Sequence, residues 1–395
     1  MDTVYAIVCL TCALLTAYAI QNKLNIDHFQ SGRHANLNGL IGFSSLLVFV
    51  CHAATWQQYI EDGRWRASDS PSLIIPGQTG IVLFFMITGF LFAKKYLGSK
   101  NQKINWTQTY CSRIFRLYPA YLFSMCLLLG IIAATSLQEK IFLDKIEIAS
   151  YLKWLLFTIP GAPQLNGNPE TNIIMAGTTW PLTFVWAFYF SLPIIAAVLG
   201  TKKSWPAIIF GATMLAITLY FIPFYGLIYL MLLIGIAAAI FDKYTNFQEL
   251  LNRKIFGLFA LILLISNGFI NNETAYNIKS VALIGLSFLI FSSGNSIFGL
   301  LTKNSMQIFG ASAYSIYLLH GPLLYIAIKT IQASNHEIYK SNENFWLVII
   351  ALTPILVLIS ALSYIFIEAP AMKHQEKITQ LIRKIFAFKL SEKPS

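Results

Sequence analysis

Charged positions lie so far apart along this chain that it divides into apolar runs before any motif is sought. Stretches free of Asp, Glu, Lys and Arg run from Val4 to Asn22, His34 to Ile60, Ser70 to Ala93, Leu117 to Gln138, Thr171 to Thr201, Ser204 to Phe241, Ile255 to Asn272, Ser280 to Thr302, Asn304 to Ile328 and Asn344 to Ile367. About 20 apolar helical residues cross roughly 30 Å of hydrocarbon, so each run can span once. Ser204 to Phe241 is long enough for two crossings, with a turn expected at Ile222-Pro223-Phe224-Tyr225-Gly226, where proline and glycine interrupt a helix. The pattern predicts an all-α polytopic membrane protein with about eleven transmembrane helices.

Composition agrees and narrows the class. Of 395 residues, 56% are hydrophobic and only 11% charged, with mean hydropathy +0.62, which excludes an ordinary soluble domain, a coiled coil and a disordered chain. A formal charge of +11 would suggest nucleic acid in a soluble protein, but in an apolar chain basic residues mark the cytoplasmic side. Membrane lipid is therefore the expected partner and nucleic acid is not. Lys94 to Arg116 holds six basic residues and no acid, which assigns that segment to the inside. Alternation then puts the N-terminus outside and the C-terminus in the cytoplasm, and twenty of the 28 basic residues fall inside with six of the 17 acids.

Ala17-Tyr18-Ala19 resembles a signal-peptide cleavage site, but the leading MDTVY has an acid and no Lys or Arg, so the first span is expected to stay. The longest outer segment, Ser136 to Thr179, contains Tyr151-Leu152-Lys153-Trp154, expected as an amphipathic helix at the interface, and GAPQLNGNPE, expected as a polar loop. A substrate would be met there. Cys9 and Cys12 have the spacing of a redox or metal pair but sit in an apolar run, and no outer loop has a cysteine. Neither a disulfide framework nor a metal site is expected.

Ionisable residues inside spans are expensive and mark functional sites. Here His52 and His320 qualify. Counted from inner ends near Asn38 and Ile308 they rise roughly 21 Å and 18 Å, so facing helices would bring them to similar depth. Hydrogen bonding between helices is the plainer role for either alone.

Six segments surround these histidines in order: LNGLIGFSSLLVFVCH from Leu37, GQTGIVLFFMITGFLF from Gly77, SRIFRLYPAYLF from Ser112, WPLTFVWAFYFSLP from Trp180, FGASAYSIYLLHGPL from Phe309 and SYIFIEAP from Ser363. Together they resemble the membrane-bound acyltransferase 3 family, over roughly Arg33 to Lys373. That leaves residues 1–32 as an additional span with its linker and 374–395 as a basic cytoplasmic tail. The resemblance implies a core of about ten spans that moves acyl groups, usually acetyl, from cytoplasmic acyl-CoA to hydroxyls of envelope glycans.

Residue by residue the likeness is mixed. The histidine of the family's arginine–histidine motif falls on His52, and a preceding basic residue corresponds to Arg33, but the motif arginine is replaced by Ile41 and the aspartate before it by Asn38. The second block keeps Gly80, Phe84, Phe85, Gly89 and Phe90, with Val82 for an aspartate and Thr88 for a serine. Arg113 and Arg116, which the family associates with coenzyme A, are intact before Tyr118-Pro119. The fourth block keeps Trp180, Leu182, Phe188, Tyr189 and Pro193, with Val185 for the family glutamate and Pro181 for a serine. Ser312, Tyr314, Tyr317 and His320 persist in the tenth span, and Tyr364 and Glu368-Ala-Pro370 in the last.

The resemblance thus implies His52 and His320 as catalytic residues, Arg113 and Arg116 as the acyl-CoA site, and Tyr314, Tyr317 and Trp180 as substrate-binding residues, with no metal. Ser44 and Ser45 are further candidates to replace the missing charged partners. The paired losses are coherent, since removing one partner of a buried ion pair alone costs about 3 to 5 kcal/mol. They fit either a divergent enzyme with rebuilt polar contacts or a catalytically silent relative. A transporter is the rival from another class, disfavoured by the lack of a clear repeat and the scarcity of intramembrane charges. An integral protein of a bacterial inner membrane, with an envelope glycan or glycolipid as acceptor, is expected, and a homodimer is left open.

Overall fold

Where charge is absent from the sequence, the chain is helical. The computed structural model describes residues 2–21, 34–138, 148–222, 225–270, 273–334 and 341–391. In chain order these form α1 (Asp2–Ile20), α2 (Ala35–Asp62), α3 (Pro71–Gly98), α4 (Trp106–Gln138), α5 (Ile148–Leu155), α6 (Thr171–Ile174), α7 (Trp180–Val198), α8 (Trp205–Phe221), α9 (Gly226–Tyr244), α10 (Gln248–Leu251), α11 (Lys254–Ile270), α12 (Ile278–Ser292), α13 (Asn304–Ser334), α14 (Asn342–Ser363) and α15 (Ala369–Ser391). A π-helical turn, Tyr364–Glu368, joins α14 to α15.

Eleven of these helices coincide with the predicted crossings. Eight are long and apolar enough to span, while α8, α11 and α12 are apolar but shorter, at 17, 17 and 15 residues. At 1.5 Å per residue they reach about 22 to 26 Å, a shortfall that a bilayer meets by local thinning. The turn expected between α8 and α9 is bracketed by their ends at Phe221 and Gly226. Its Pro223 and Phe224 lie outside the described residues, as do Arg33 and the rest of the 22–33 linker.

Two boundaries differ instructively from the charge-gap reading. Helix α3 continues to Gly98 and α4 starts at Trp106, so Lys94, Lys95, Arg113 and Arg116 stand on helices instead of loops. Two of the four, Lys94 and Arg116, are matched by carboxylates. Lys94 forms an ion pair with Asp242 of α9, and Lys243 donates to the Leu97 carbonyl at 2.5 Å. Arg116 faces Glu368. We refer to this side of the bundle, which also carries Lys103 and Lys202, as the basic end, and to the opposite side as the loop end.

The centre of the bundle is α2, packed lengthwise against both α13 and α3, with α9 on the far side of α3. The α2–α13 approach depends on glycine. A Cβ at Gly42 would strike the backbone of Phe309 and Gly310, and one at Gly310 would strike Asn38. Phe49, Phe85, Phe90 and Phe309 fill the interior around this contact. Helices α1, α8 and α11 lie at the periphery and expose Leu15, Ile209, Phe259 and Phe269, as lipid-facing surfaces do. Helix α1 packs on α14, and Asn342 bonds both Asp2 and Gln57, tying three helices together at the loop end.

The segment 148–179 folds back over the loop end. Its first part is the short helix α5, at the position expected for the amphipathic segment, with Trp154 buried and donating to the Pro163 carbonyl at 2.8 Å. Glu170 fastens the later part. It accepts from Lys329 and Tyr325 of α13, each at 2.6 Å, and from Tyr59 of α2 at 3.1 Å.

Candidate functional site

Close packing of α2 on α13 brings the two intramembrane histidines into direct contact. His52 Nδ1 lies 2.8 Å from His320 Nε2, and His320 Nδ1 lies 3.0 Å from the Ile316 carbonyl. A carbonyl only accepts, so Nδ1 of His320 carries its proton and Nε2 offers a lone pair. In the neutral pair His52 must then donate through Nδ1, which leaves its own Nε2 unprotonated. These tautomers follow from the hydrogen-bond pattern. His320 is fully buried against Phe49 and Tyr317, whereas His52 is partly open.

His52 opens into a cavity of about 360 Å³ at the loop end, together with Thr55, Gln78, Trp180, Tyr276 and Tyr317. The segment 148–179 roofs it. Tyr317 donates to the Thr178 carbonyl at 2.7 Å, and Gly321 lies so close under Met175 and Ala176 that a Cβ would collide with their backbone. Arg66, on the rim, is held by Asp62 and Asp69.

A second cavity, of about 250 Å³, enters from the basic end. Ser44, Ser45, Arg113, Arg116, Tyr189 and Tyr314 line it. The two share Val48, Ile81 and Tyr317, so they meet at one constriction in the bundle. Of the seven site residues expected from the sequence, Arg113, Arg116 and Tyr314 lie in the basic-end cavity. His52 and Trp180 lie in the loop-end cavity, Tyr317 lines both, and His320 stands behind His52.

The arginines are differently held. Arg116 Nη1 is 3.8 Å from Glu368 Oε2, an ion pair without a close hydrogen bond, while Glu368 Oε1 accepts from Ser315 at 2.6 Å. Arg113 stacks over the Phe92 ring, 5.2 Å from its centroid, and among the described residues has no carboxylate within ion-pair distance. Its Nε donates to Ser112 Oγ at 3.3 Å, and its charge, with no carboxylate beside it, suits an anion. The Tyr314 hydroxyl is buried and has no hydrogen-bond partner among the described residues.

The positions where family charges are absent are quiet ones. Val82 and Val185 are packed in the core at 0% and 1% exposure, and Ile41 and Asn38 line the basic-end cavity. Among the described residues no carboxylate bonds either imidazole; the orientation is supplied by the Ile316 carbonyl and by the second histidine.

Four residues at the site carried no role in the sequence reading. Glu368 was visible within the last block, but its pairing with Arg116 depends on the π-helical turn. Gln78 accepts from Thr274 and Ala275, and so holds Tyr276 over the loop-end cavity. Glu170 is the fourth. Partial burial raises its acidity threshold, but bonds from Lys329, Tyr325 and Tyr59 outweigh this and hold the carboxyl below its ordinary value.

A family model described as an acyltransferase domain matches residues 34–365. Among curated proteins, Nodulation protein 10 of Rhizobium leguminosarum bv. viciae is 23% identical over 385 residues, covering 88% of this chain and 95% of that protein. No solved structure matches.

Proposed function

Because the chain belongs to the acyltransferase 3 family, we propose that it transfers an acyl group, most simply acetyl, from cytoplasmic acyl-CoA to a hydroxyl of an envelope glycan or glycolipid. The membrane is then the bacterial inner membrane, with the basic end and C-terminus in the cytoplasm and the loop end outside. The observation that supports this most is the pair of cavities converging on Tyr317, one carrying an arginine with no carboxylate partner among the described residues and the other an oriented imidazole.

The residues suit a donor of this kind. Arg113 offers a planar fork to a phosphate, and Arg116, shared with Glu368, adds positive charge beside it. A cavity of about 250 Å³ accepts the acyl end, while the nucleotide stays at the basic end. His52 Nε2 takes the proton from the acceptor hydroxyl as its oxygen attacks the thioester carbonyl carbon. The tetrahedral centre collapses by breaking the C–S bond, and the thiolate takes the proton held on His52 Nε2, giving ester, free thiol and the neutral imidazole again. Tyr314, with its unpartnered hydroxyl, supplies a hydrogen bond to the carbonyl oxygen as negative charge develops there. No covalent enzyme intermediate is required.

The second reading, a silent relative that binds acyl-CoA or glycan, is favoured by the neutral Ile41, Val82 and Val185. Purified protein in lipid, given labelled acetyl-CoA and envelope extract, separates the two. Label transfer that disappears in His52→Ala supports the enzyme. Retained, Arg113-dependent acetyl-CoA binding without transfer supports the silent relative, and absence of both removes the acyltransferase reading.

A further inference from the structure

A third cavity, of about 870 Å³, adjoins the His52 pocket and takes no part in the chemistry above. Its size is within the range of small-molecule sites, about 300–1,000 Å³. Its deep wall is apolar: Phe184 of α7 faces Leu227, Ile228 and Met231 of α9. Among the described residues no Asp, Glu, Lys or Arg lines it, so nothing there would hold a phosphate or the charged part of an acyl donor.

Three observations define the occupant. First, the cavity adjoins the acceptor pocket, since Gly177, Trp180 and Tyr276 line both. Trp180 and Tyr276 stand edge to face with centroids 6.0 Å apart, in packing contact, and form the aromatic wall that the two spaces share. Second, the apolar wall descends into the spans, because Met231 is five residues inside the start of α9. At that depth the hydroxyls of a sugar chain would lose water without gaining partners. Third, Phe221 and Tyr225 edge the cavity while remaining 48% and 55% exposed on the lipid-facing flank. A molecule can therefore arrive from within the bilayer.

We infer that this cavity holds the hydrocarbon tail of a lipid-linked glycan, whose sugar reaches over the Trp180–Tyr276 wall to present a hydroxyl to His52. The inference rests on the acyl-transfer reading and narrows its acceptor to a glycan still attached to lipid. The tail anchors the substrate in the apolar space, and the polar head alone enters the smaller pocket.

The test uses full-length protein in nanodiscs with labelled acetyl-CoA. The acceptors are the lipid-linked glycan pool of an envelope extract and the same pool after its lipid has been cleaved off. The lipid-linked pool is expected to give at least tenfold higher kcat/KM. Ala162→Trp and Leu227→Trp, which fill the cavity from opposite walls, should remove that preference while leaving transfer to the released glycan unchanged. Equal kcat/KM for the two pools, or equal losses on both in the tryptophan variants, overturns the tail site and leaves acyl transfer standing. A change in preference between acetyl-CoA and longer acyl-CoAs in those variants also overturns it, by assigning the cavity to the donor.

Absence of His52-dependent transfer to either pool would reject the underlying activity instead. The tail site is then judged by crosslinking an alkyl glycoside that carries a diazirine in its chain. Labelling of the peptide containing Ile228 and Met231, lost in Leu227→Trp, supports it, and labelling spread evenly over the lipid-facing helices overturns it.

Discussion

His52 and His320 form a hydrogen-bonded pair, Nδ1 to Nε2 at 2.8 Å, anchored to the backbone of α13 through the Ile316 carbonyl. An imidazole here takes the orienting place often held by a carboxylate. His52→Ala should lose about 10²- to 10⁴-fold in kcat, the usual worth of a positioned base. His320→Ala should lose about 10²-fold with KM for acyl-CoA unchanged, and His320→Gln, whose amide oxygen can accept from His52, should recover part of it. Wild-type kcat in His320→Ala would remove the histidine from the mechanism.

Arg116 and Glu368 should separate structural from binding roles. Arg116→Ala leaves Glu368 buried without its cation, at a cost of about 3 to 5 kcal/mol by analogy with soluble cores, and should lower the melting temperature. Adding Glu368→Gln should restore the melting temperature but not acyl-CoA affinity. Arg113→Ala, with no carboxylate to orphan among the described residues, should weaken acyl-CoA binding at unchanged stability. Thermal unfolding in detergent alongside calorimetric acyl-CoA titration tests all three variants.

The Glu170 fastening predicts a pH dependence at the loop end. Because the carboxyl is held below its ordinary value of 4.5, its contribution is complete above about that pH and is lost as pH falls through the lower folded value. With side-chain exposures of 35% for Lys329 and 23% for Glu170, solvent screening limits the ion pair itself to about 1 kcal/mol or less. Hydrogen exchange in 156–179 should therefore accelerate between pH 5 and pH 3 in the wild type, beyond the intrinsic change, and be already raised at pH 5 in Glu170→Gln. Matching profiles in the two proteins would dismiss the fastening.

Gly42 sets the distance between α2 and α13. Gly42→Val must push the helices apart against Phe309 and Gly310, and overpacking of this kind costs about 1 to 3 kcal/mol. Activity should fall more than acyl-CoA binding, because the histidines separate while Arg113 and Arg116, on α4, keep their places. Protein purified as folded but with kcat intact would show that the two helices tolerate the wider spacing.

Much of the fold was legible because a bilayer imposes one rule on every crossing: about 20 residues without unpaired charge. The rule misplaced the ends of α3 and α4, since Lys94 and Arg116 have partners, Asp242 and Glu368, far away in sequence. The histidines were legible for the same reason, as rare ionisable residues at matching depth. Glu170, Gln78 and the Trp180–Tyr276 wall were not. They lie near helix ends or in connecting segments where polar residues are ordinary; the folding of 148–179 across α2 and α13 places Glu170, and the segment 274–276 lying against Gln78 places Tyr276.

On the acyl-transfer reading, the residues that line both cavities also stand where the bundle has to stay closed to ions. Reactants admitted from opposite ends would leave one closure between them, at Val48, Ile81 and Tyr317, which line both cavities. Polar replacement of the first two would be expected to let protons through and dissipate the membrane potential of the cell that carries it. Evolution of the catalytic pocket in this chain is therefore bounded by leakage as well as by rate.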